Sequence, residues 1–170
     1  MPARKSLPFT LVRLLAVGLL SASSLAASGS LLHRHAPHFV RTDLNGRQVD
    51  IAAFKGRVIL LTFWATWCAP CQVEMPRFIE WQTRLGSKGL QIVGVSMDDA
   101  EAPVRALAAE RGVNYPVLMG DAKLARLYGG ILGLPITFLI DRHGRVAARF
   151  KGETDLDSME RTLRRILDSR

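Results

Sequence analysis

Val58-Ile59-Leu60-Leu61-Thr62-Phe63-Trp64 runs through Ala65-Thr66 into Trp67-Cys68-Ala69-Pro70-Cys71, and these fourteen residues set the architecture. The first seven, apolar but for one threonine, predict a buried strand. From Ala69 onward, Glu74, Met75, Phe78, Ile79 and Trp81 recur at helical spacing and predict an amphipathic helix reaching about Leu85. Cys68 therefore stands at the N-terminus of that helix, where unpaired N–H groups and the helix dipole favour an anion. A thiolate placed there falls from a pKa of about 8.5 into the range of roughly 3.5–7.5. Cys71 lies three residues on, a helical turn deeper and on a neighbouring face. This is the geometry of a nucleophile and its resolving partner. The chain holds 2 cysteines in all, so they read as a redox couple.

The 170 residues, 48% of them apolar, support one globular domain with an adequate core. Residues 1–30 are set apart from it. Arg4, Lys5 and Arg13 form a positive region, Leu14 to Leu20 a short apolar run, and Ser24-Leu25-Ala26 the small residues that precede a cleavage point. A signal peptide is the favoured reading of 1–30, with an N-terminal membrane anchor as its competitor, because the apolar run is shorter than the ~20 residues of a span. Either reading carries the domain out of the cytoplasm, where disulfides persist and need enzymes to manage them. The formal charge of +8 falls to about +5 once Arg4, Lys5 and Arg13 are set aside. Arg161, Arg164 and Arg165 read as the solvated face of a last helix, and no nucleic-acid motif accompanies them.

Residues 31–37 read as a linker, with His33 and His35 in it and His38 just beyond. Histidines so close could bind copper or zinc, although linker histidines without a scaffold are more often inert. The domain proper is predicted over 38–170. Phe39 to Asp43 and Arg47 to Val49 flank Asn45-Gly46, a two-residue hairpin signal. Ile51 to Phe54 predicts one helical turn. Beyond the first helix, with Pro76 in its interior as a source of kinking, Gln91 to Ser96 predicts a second strand and Ala102 to Arg111 a helix. Tyr115 to Leu118 predicts an extended segment, and Asp121 a cap on the helix Ala122 to Tyr128. A hairpin of Ile136–Ile140 and Arg145–Lys151 follows, then a closing helix capped by Asp155. Met97-Asp98-Asp99 follows a strand; its paired carboxylates would suit a metal or catalytic site, and helix capping is the expected use. Phe63 and Trp64 are expected in the floor beneath the cysteines, Tyr128 against the sheet and His143 in solvent. The pattern predicts an α/β fold with a mixed central sheet flanked by helices.

Phe63-Trp64-Ala65-Thr66-Trp67-Cys68-Ala69-Pro70-Cys71, Glu74-Met75-Pro76 and Gly133-Leu134-Pro135-Ile136-Thr137-Phe138-Leu139-Ile140-Asp141, in that order, resemble the TlpA/ResA-type thioredoxins. Those are bacterial envelope thiol–disulfide oxidoreductases. Ala36-Pro37-His38-Phe39 with Asn45-Gly46 resembles the N-terminal β-hairpin that this branch adds to the thioredoxin fold. The resemblance covers the chain from about Ala36 onward. It implies that Cys68 attacks to form a mixed disulfide and that Cys71 resolves it. It implies a cis peptide bond before Pro135, with Leu134 and Pro135 offering backbone to a substrate strand and Trp67 as an aromatic flank. It also implies that a partly buried Glu74 keeps a raised pKa and exchanges a proton with Cys71; a solvated helix glutamate is the plain alternative. The chain departs from many thioredoxins at Thr62, where a buried aspartate is common. Ile136 replaces the glutamate typical of the branch dedicated to cytochrome c maturation.

The resulting expectation is a protein-disulfide reductase of the periplasm or cell envelope. It would work as a monomer without a cofactor, drawing electrons from a membrane thiol donor and acting on client proteins of cytochrome c or copper-oxidase biogenesis. Two other readings stay open. A thiol peroxidase of the same fold needs threonine three residues before the reactive cysteine, where Ala65 stands. A copper-binding metallochaperone needs wider cysteine spacing and a downstream histidine, and metal analysis of the reduced protein would distinguish it.

Overall fold

The computed structural model describes residues 30–169, so the leader reading of 1–30 lies almost wholly outside them. Strand β1 (Val40–Thr42) pairs antiparallel with β2 (Gln48–Asp50) as a separate two-stranded hairpin. The turn between them differs from the expected two-residue loop. Asp43 donates its N–H to the Arg47 carbonyl, and its carboxylate accepts from the amides of Asn45 and Arg47, each at 2.8 Å. Gly46, at φ +78°, thus closes a three-residue loop 44–46 in the left-handed region. A 3-10 turn, Ile51–Phe54, leads to β3 (Val58–Trp64), which is buried throughout.

After β3 come α1 (Ala69–Leu85), β4 (Leu90–Ser96), α2 (Glu101–Glu110), β5 (Val117–Met119), α3 (Ala122–Leu127), β6 (Ile136–Ile140), β7 (Val146–Lys151) and α4 (Leu156–Asp168). The main sheet has the order β5-β4-β3-β6-β7, with β3, β4 and β5 parallel and β6 and β7 antiparallel to their neighbours. β3 lies at the centre, which is why its sequence lacks a polar face. α1 runs unbroken through Pro76, which lies on the exposed side of the helix.

Side-chain alternation along β3 divides the core in two. Val58, Leu60 and Trp64 pack under α1, α2 and α4 with Phe78, Trp81, Val104, Met159 and Leu163. Ile59, Leu61 and Phe63 face the other way, against α3 and the hairpin, with Phe39, Leu124, Tyr128 and Phe138. Trp64 alone is therefore the floor expected of both aromatic residues. Phe63 belongs to the opposite layer, 5.4 Å from the Tyr128 ring centroid and 6.1 Å from that of Phe138. Tyr128 packs on the sheet as expected, and its hydroxyl donates to the Pro37 carbonyl at 2.8 Å.

The segment read as a linker is tied into the domain. His33 N–H donates to Val146 O, Val146 N–H to Arg34 O, and Ala36 N–H to Gly144 O, at 2.8–2.9 Å. These bonds extend the sheet beside the start of β7, which register places at the Ile59 end of β3, away from Trp64 and the cysteines. His38 pairs instead with Asp50, Nε2 to Oδ1 at 2.9 Å. Among the described residues no three His, Cys, Asp or Glu side chains gather as a metal would need. Nor is any helix there long and apolar enough to cross a membrane.

Candidate active site

Cys68 is the N-cap of α1, its backbone extended (φ −88°, ψ 97°) while the residues after it turn helical. Its sulfur accepts the Cys71 N–H at 3.3 Å, one of the amides a helix leaves free at its start. Cys68 and Cys71 are joined in a disulfide, S–S 2.03 Å with 5.3 Å between α-carbons. Both are buried, whereas Trp67 beside them is 70% exposed. The reactive pair therefore sits just under the surface with an aromatic ring standing out next to it.

Glu74 lies three residues beyond Cys71 on the same helix, 4% exposed, and its Oε2 has no hydrogen-bond partner. Burial pushes its carboxyl up from 4.5 to about 7. The Tyr115 hydroxyl is raised as well, by burial first and then by the Glu74 charge, which places the two groups in one electrostatic environment. Glu74 lines a cleft of about 290 Å³ formed with Ala69, Pro70, Val73, Glu153, Thr154 and Leu156. A solvated helix glutamate is thus excluded by the geometry.

The Leu134–Pro135 peptide is cis. Pro135 is buried and its carbonyl accepts from Gly152 N–H at 2.8 Å, so this acceptor is already used. Leu134 is half-buried, and among the described residues neither its N–H nor its C=O has a backbone partner. Beneath the site, Thr62 accepts from the Thr137 hydroxyl at 3.0 Å, and both are buried. A neutral hydroxyl pair therefore fills the level at which many thioredoxins carry an acid. Gly94 of β4 allows close stacking there. A β-carbon on it would lie 3.0 Å from Trp64 Nε1 and 3.3 Å from the Tyr115 ring.

One residue of the site was read differently from sequence. Asp98 does not cap α2, whose N-cap Ala100 has no side-chain cap bond. Its carboxylate accepts from the Thr66 amide at 2.9 Å, the Thr66 hydroxyl at 2.6 Å and the Ser96 hydroxyl at 2.7 Å. On the other side, Gln72 Nε2 donates to the Thr66 carbonyl at 2.6 Å. The turn entering Cys68 is thus held from β4 and from α1 together. The only sequence signal was an acidic residue two positions past an apolar strand, which fits a cap equally well.

The model of the AhpC/TSA family matches residues 32–149. The chain belongs to the AhpC/TSA family. Within this family-level match, the thiol-disulfide oxidoreductase ResA of Bacillus thuringiensis subsp. konkukian (strain 97-27) is 34% identical over 134 residues, which is 78% of this chain and 77% of that protein. ResA of Bacillus subtilis (strain 168) is 36% identical over 112 residues, 65% of this chain and 62% of that protein. Among solved structures, a thiol:disulfide interchange protein of the thioredoxin family from Chlorobium tepidum TLS superposes with a TM-score of 0.73 at 30% identity. It covers 78% of this chain and 95% of its own. The expected thioredoxin fold with an added N-terminal hairpin is present. This AhpC/TSA-family chain is a thiol–disulfide oxidoreductase similar to ResA, with Cys68 and Cys71 as its only cysteines.

Proposed function

We propose that the protein is an exported disulfide reductase acting on client proteins of the cell envelope, of the cytochrome c or copper-oxidase biogenesis type. A membrane thiol donor restores its dithiol, and it works as a monomer, either released from the 1–30 leader or tethered by it. The observation that carries the reading is the Cys68–Cys71 disulfide at the tip of α1, with the Cys68 sulfur on a free helix amide and the unpartnered Glu74 carboxyl one turn away.

In the reduced form, the Cys68 thiolate attacks a client disulfide. A Cys68–client bond forms, and the client's other sulfur leaves as a thiolate. Cys71 gives up its proton to Glu74, which at about pH 7 holds comparable populations of acid and base. The Cys71 thiolate then attacks the Cys68 sulfur and expels the second client thiolate, closing the Cys68–Cys71 disulfide. Two electrons have passed to the client. Trp67 flanks the client, and the unpaired N–H and C=O of Leu134, set by Pro135, pair with a client segment as an added strand.

Trapping tests this. Cys71→Ser in envelope extracts should accumulate disulfide-linked adducts on Cys68 that dithiothreitol releases, while Cys68→Ser should not. Adducts on Cys68→Ser alone would reverse the two roles. No adducts with either variant would remove the reductase reading. Stoichiometric copper on the purified reduced protein would favour a metal carrier.

A further inference from the structure

When the disulfide opens, the bond that fixes the Cys68 sulfur to Cys71 disappears, yet the sulfur must stay on the helix tip to remain an anion. Cys68 keeps its own backbone bonds, its N–H donating to the Ala65 carbonyl at 3.1 Å and its carbonyl accepting from the Gln72 N–H at 3.2 Å. A further set of restraints converges on Thr66, two residues before Cys68. Asp98 takes its N–H and its hydroxyl, and Gln72 takes its carbonyl. Asp98 is itself fixed: Ser96 Oγ donates to its carboxylate at 2.7 Å, and its own N–H donates back to that oxygen at 3.1 Å. Beside it, Met97 N–H donates to the Trp64 carbonyl at 2.8 Å, so the loop after β4 is pinned to the end of β3. Gln72 Oε1 accepts from Arg111 Nη2 at 3.2 Å, which steadies the second arm.

We propose that Asp98 is a positioning residue: by gripping both the amide and the hydroxyl of Thr66, it keeps the Cys68 sulfur at the tip of α1 after the disulfide has been reduced. The proposal rests on the dithiol chemistry above and adds the part that preserves it between half-reactions. Charge-assisted bonds of 2.6–2.9 Å suit this task, because they hold geometry without entering the reaction.

Geometry and charge can be separated by one atom. Asparagine at 98 can accept from Thr66 N–H and Ser96 Oγ on its oxygen and donate to Thr66 Oγ1 from its nitrogen. It rebuilds the clamp without the negative charge, whereas alanine removes both. The measurement is the pH dependence of iodoacetamide alkylation of Cys68 in the fully reduced full-length protein, with no client present. Asp98→Ala should move the profile up by about one pH unit, slowing alkylation at pH 6 by about tenfold, and Asp98→Asn should restore it to within about twofold of wild type. Should Asp98→Ala not fold, as judged by melting of its oxidised form, Thr66→Val carries the test with an expected slowing of about threefold.

Profiles of Asp98→Ala (or Thr66→Val) that overlay wild type overturn the proposal. Equal upward shifts in the alanine and asparagine variants also overturn it, since a rebuilt clamp would then fail to hold the sulfur, and loss of the negative charge alone would move the profile down. A wild-type profile at the value of an ordinary thiol would sink the dithiol reading and this one together. A depressed wild-type profile with no effect of the variants would sink the clamp alone.

Discussion

The two ends of α1 treat a carboxylate in opposite ways. Near the N-terminal end, Glu74 is buried without a partner for Oε2, and its carboxyl rises to about 7. Near the C-terminal end, Glu160 of α4 meets Arg77, Arg84 and Arg164 at 2.7–3.0 Å and accepts the Trp81 indole N–H at 3.0 Å. Partial burial pushes the Glu160 carboxyl up, but bonds from Arg164, Arg84 and Trp81 outweigh it and hold it at about 2. The same helix is therefore clasped to its neighbour at one end and left electrostatically unsatisfied at the other. Satisfied charges lock a frame; an unsatisfied one keeps a proton within reach at neutral pH.

The contrast can be broken most severely at the clasp. Glu160→Ala leaves the buried Trp81 N–H and Arg164 without their acceptor, while Arg77 keeps Asp157 and Arg84 keeps Glu80. It should cost about 3 kcal/mol in urea unfolding while leaving client reduction at 25 °C unchanged. A loss below 1 kcal/mol would show that solvent already screens the network.

At the other end the expected sign is reversed. Glu74 titrates near 4.5 when unfolded and near 7 when folded, so folding favours its neutral form. Its burden is absent below pH 4.5, grows as pH rises and is complete above about 7. Glu74→Gln should therefore stabilise the oxidised protein by about 2 kcal/mol at pH 8 and by almost nothing at pH 4. A gain of equal size at both pH values would contradict the raised pKa. The same variant should slow resolution of the Cys68–client mixed disulfide about tenfold at pH 7, read by stopped-flow with a model disulfide. The smallest effect concerns the exposed flank. Trp67→Ala should raise the KM for a protein client about threefold and leave alkylation of Cys68 by iodoacetamide untouched. A change in alkylation would mean that the ring also shapes the thiolate's surroundings.

Much of this was legible in the sequence for a physical reason. β3, α1 and the Ile136–Ile140 strand carry long, strongly periodic or fully buried patterns, and the two cysteines fall where strand gives way to helix. Burial of Glu74 followed from resemblance rather than pattern, since a glutamate on an amphipathic helix ordinarily reads as solvated. The misread parts depend on partners far along the chain or on side-chain bonds to local backbone. Asp98 grips a residue 32 positions away, and residues 33–36 pair with a turn more than a hundred residues on. Asp43, by folding its carboxylate back on two amides, lengthened the hairpin loop by one residue. Alternation along β3 did predict opposite faces, and applying it to Phe63 and Trp64 would have separated them.

The hydroxyl pair of Thr62 and Thr137 has a consequence for how electron transfer couples to pH. With those two buried oxygens bonded to each other, positions 62 and 137 hold no ionisable group, and Glu74 is the buried carboxyl of α1. On the proposed mechanism, protein-side proton transfer in the resolving step then follows the single ionisation of Glu74. Aspartate at position 62 would add a second basin for the same proton, turning a one-inflection pH curve into a stepped one.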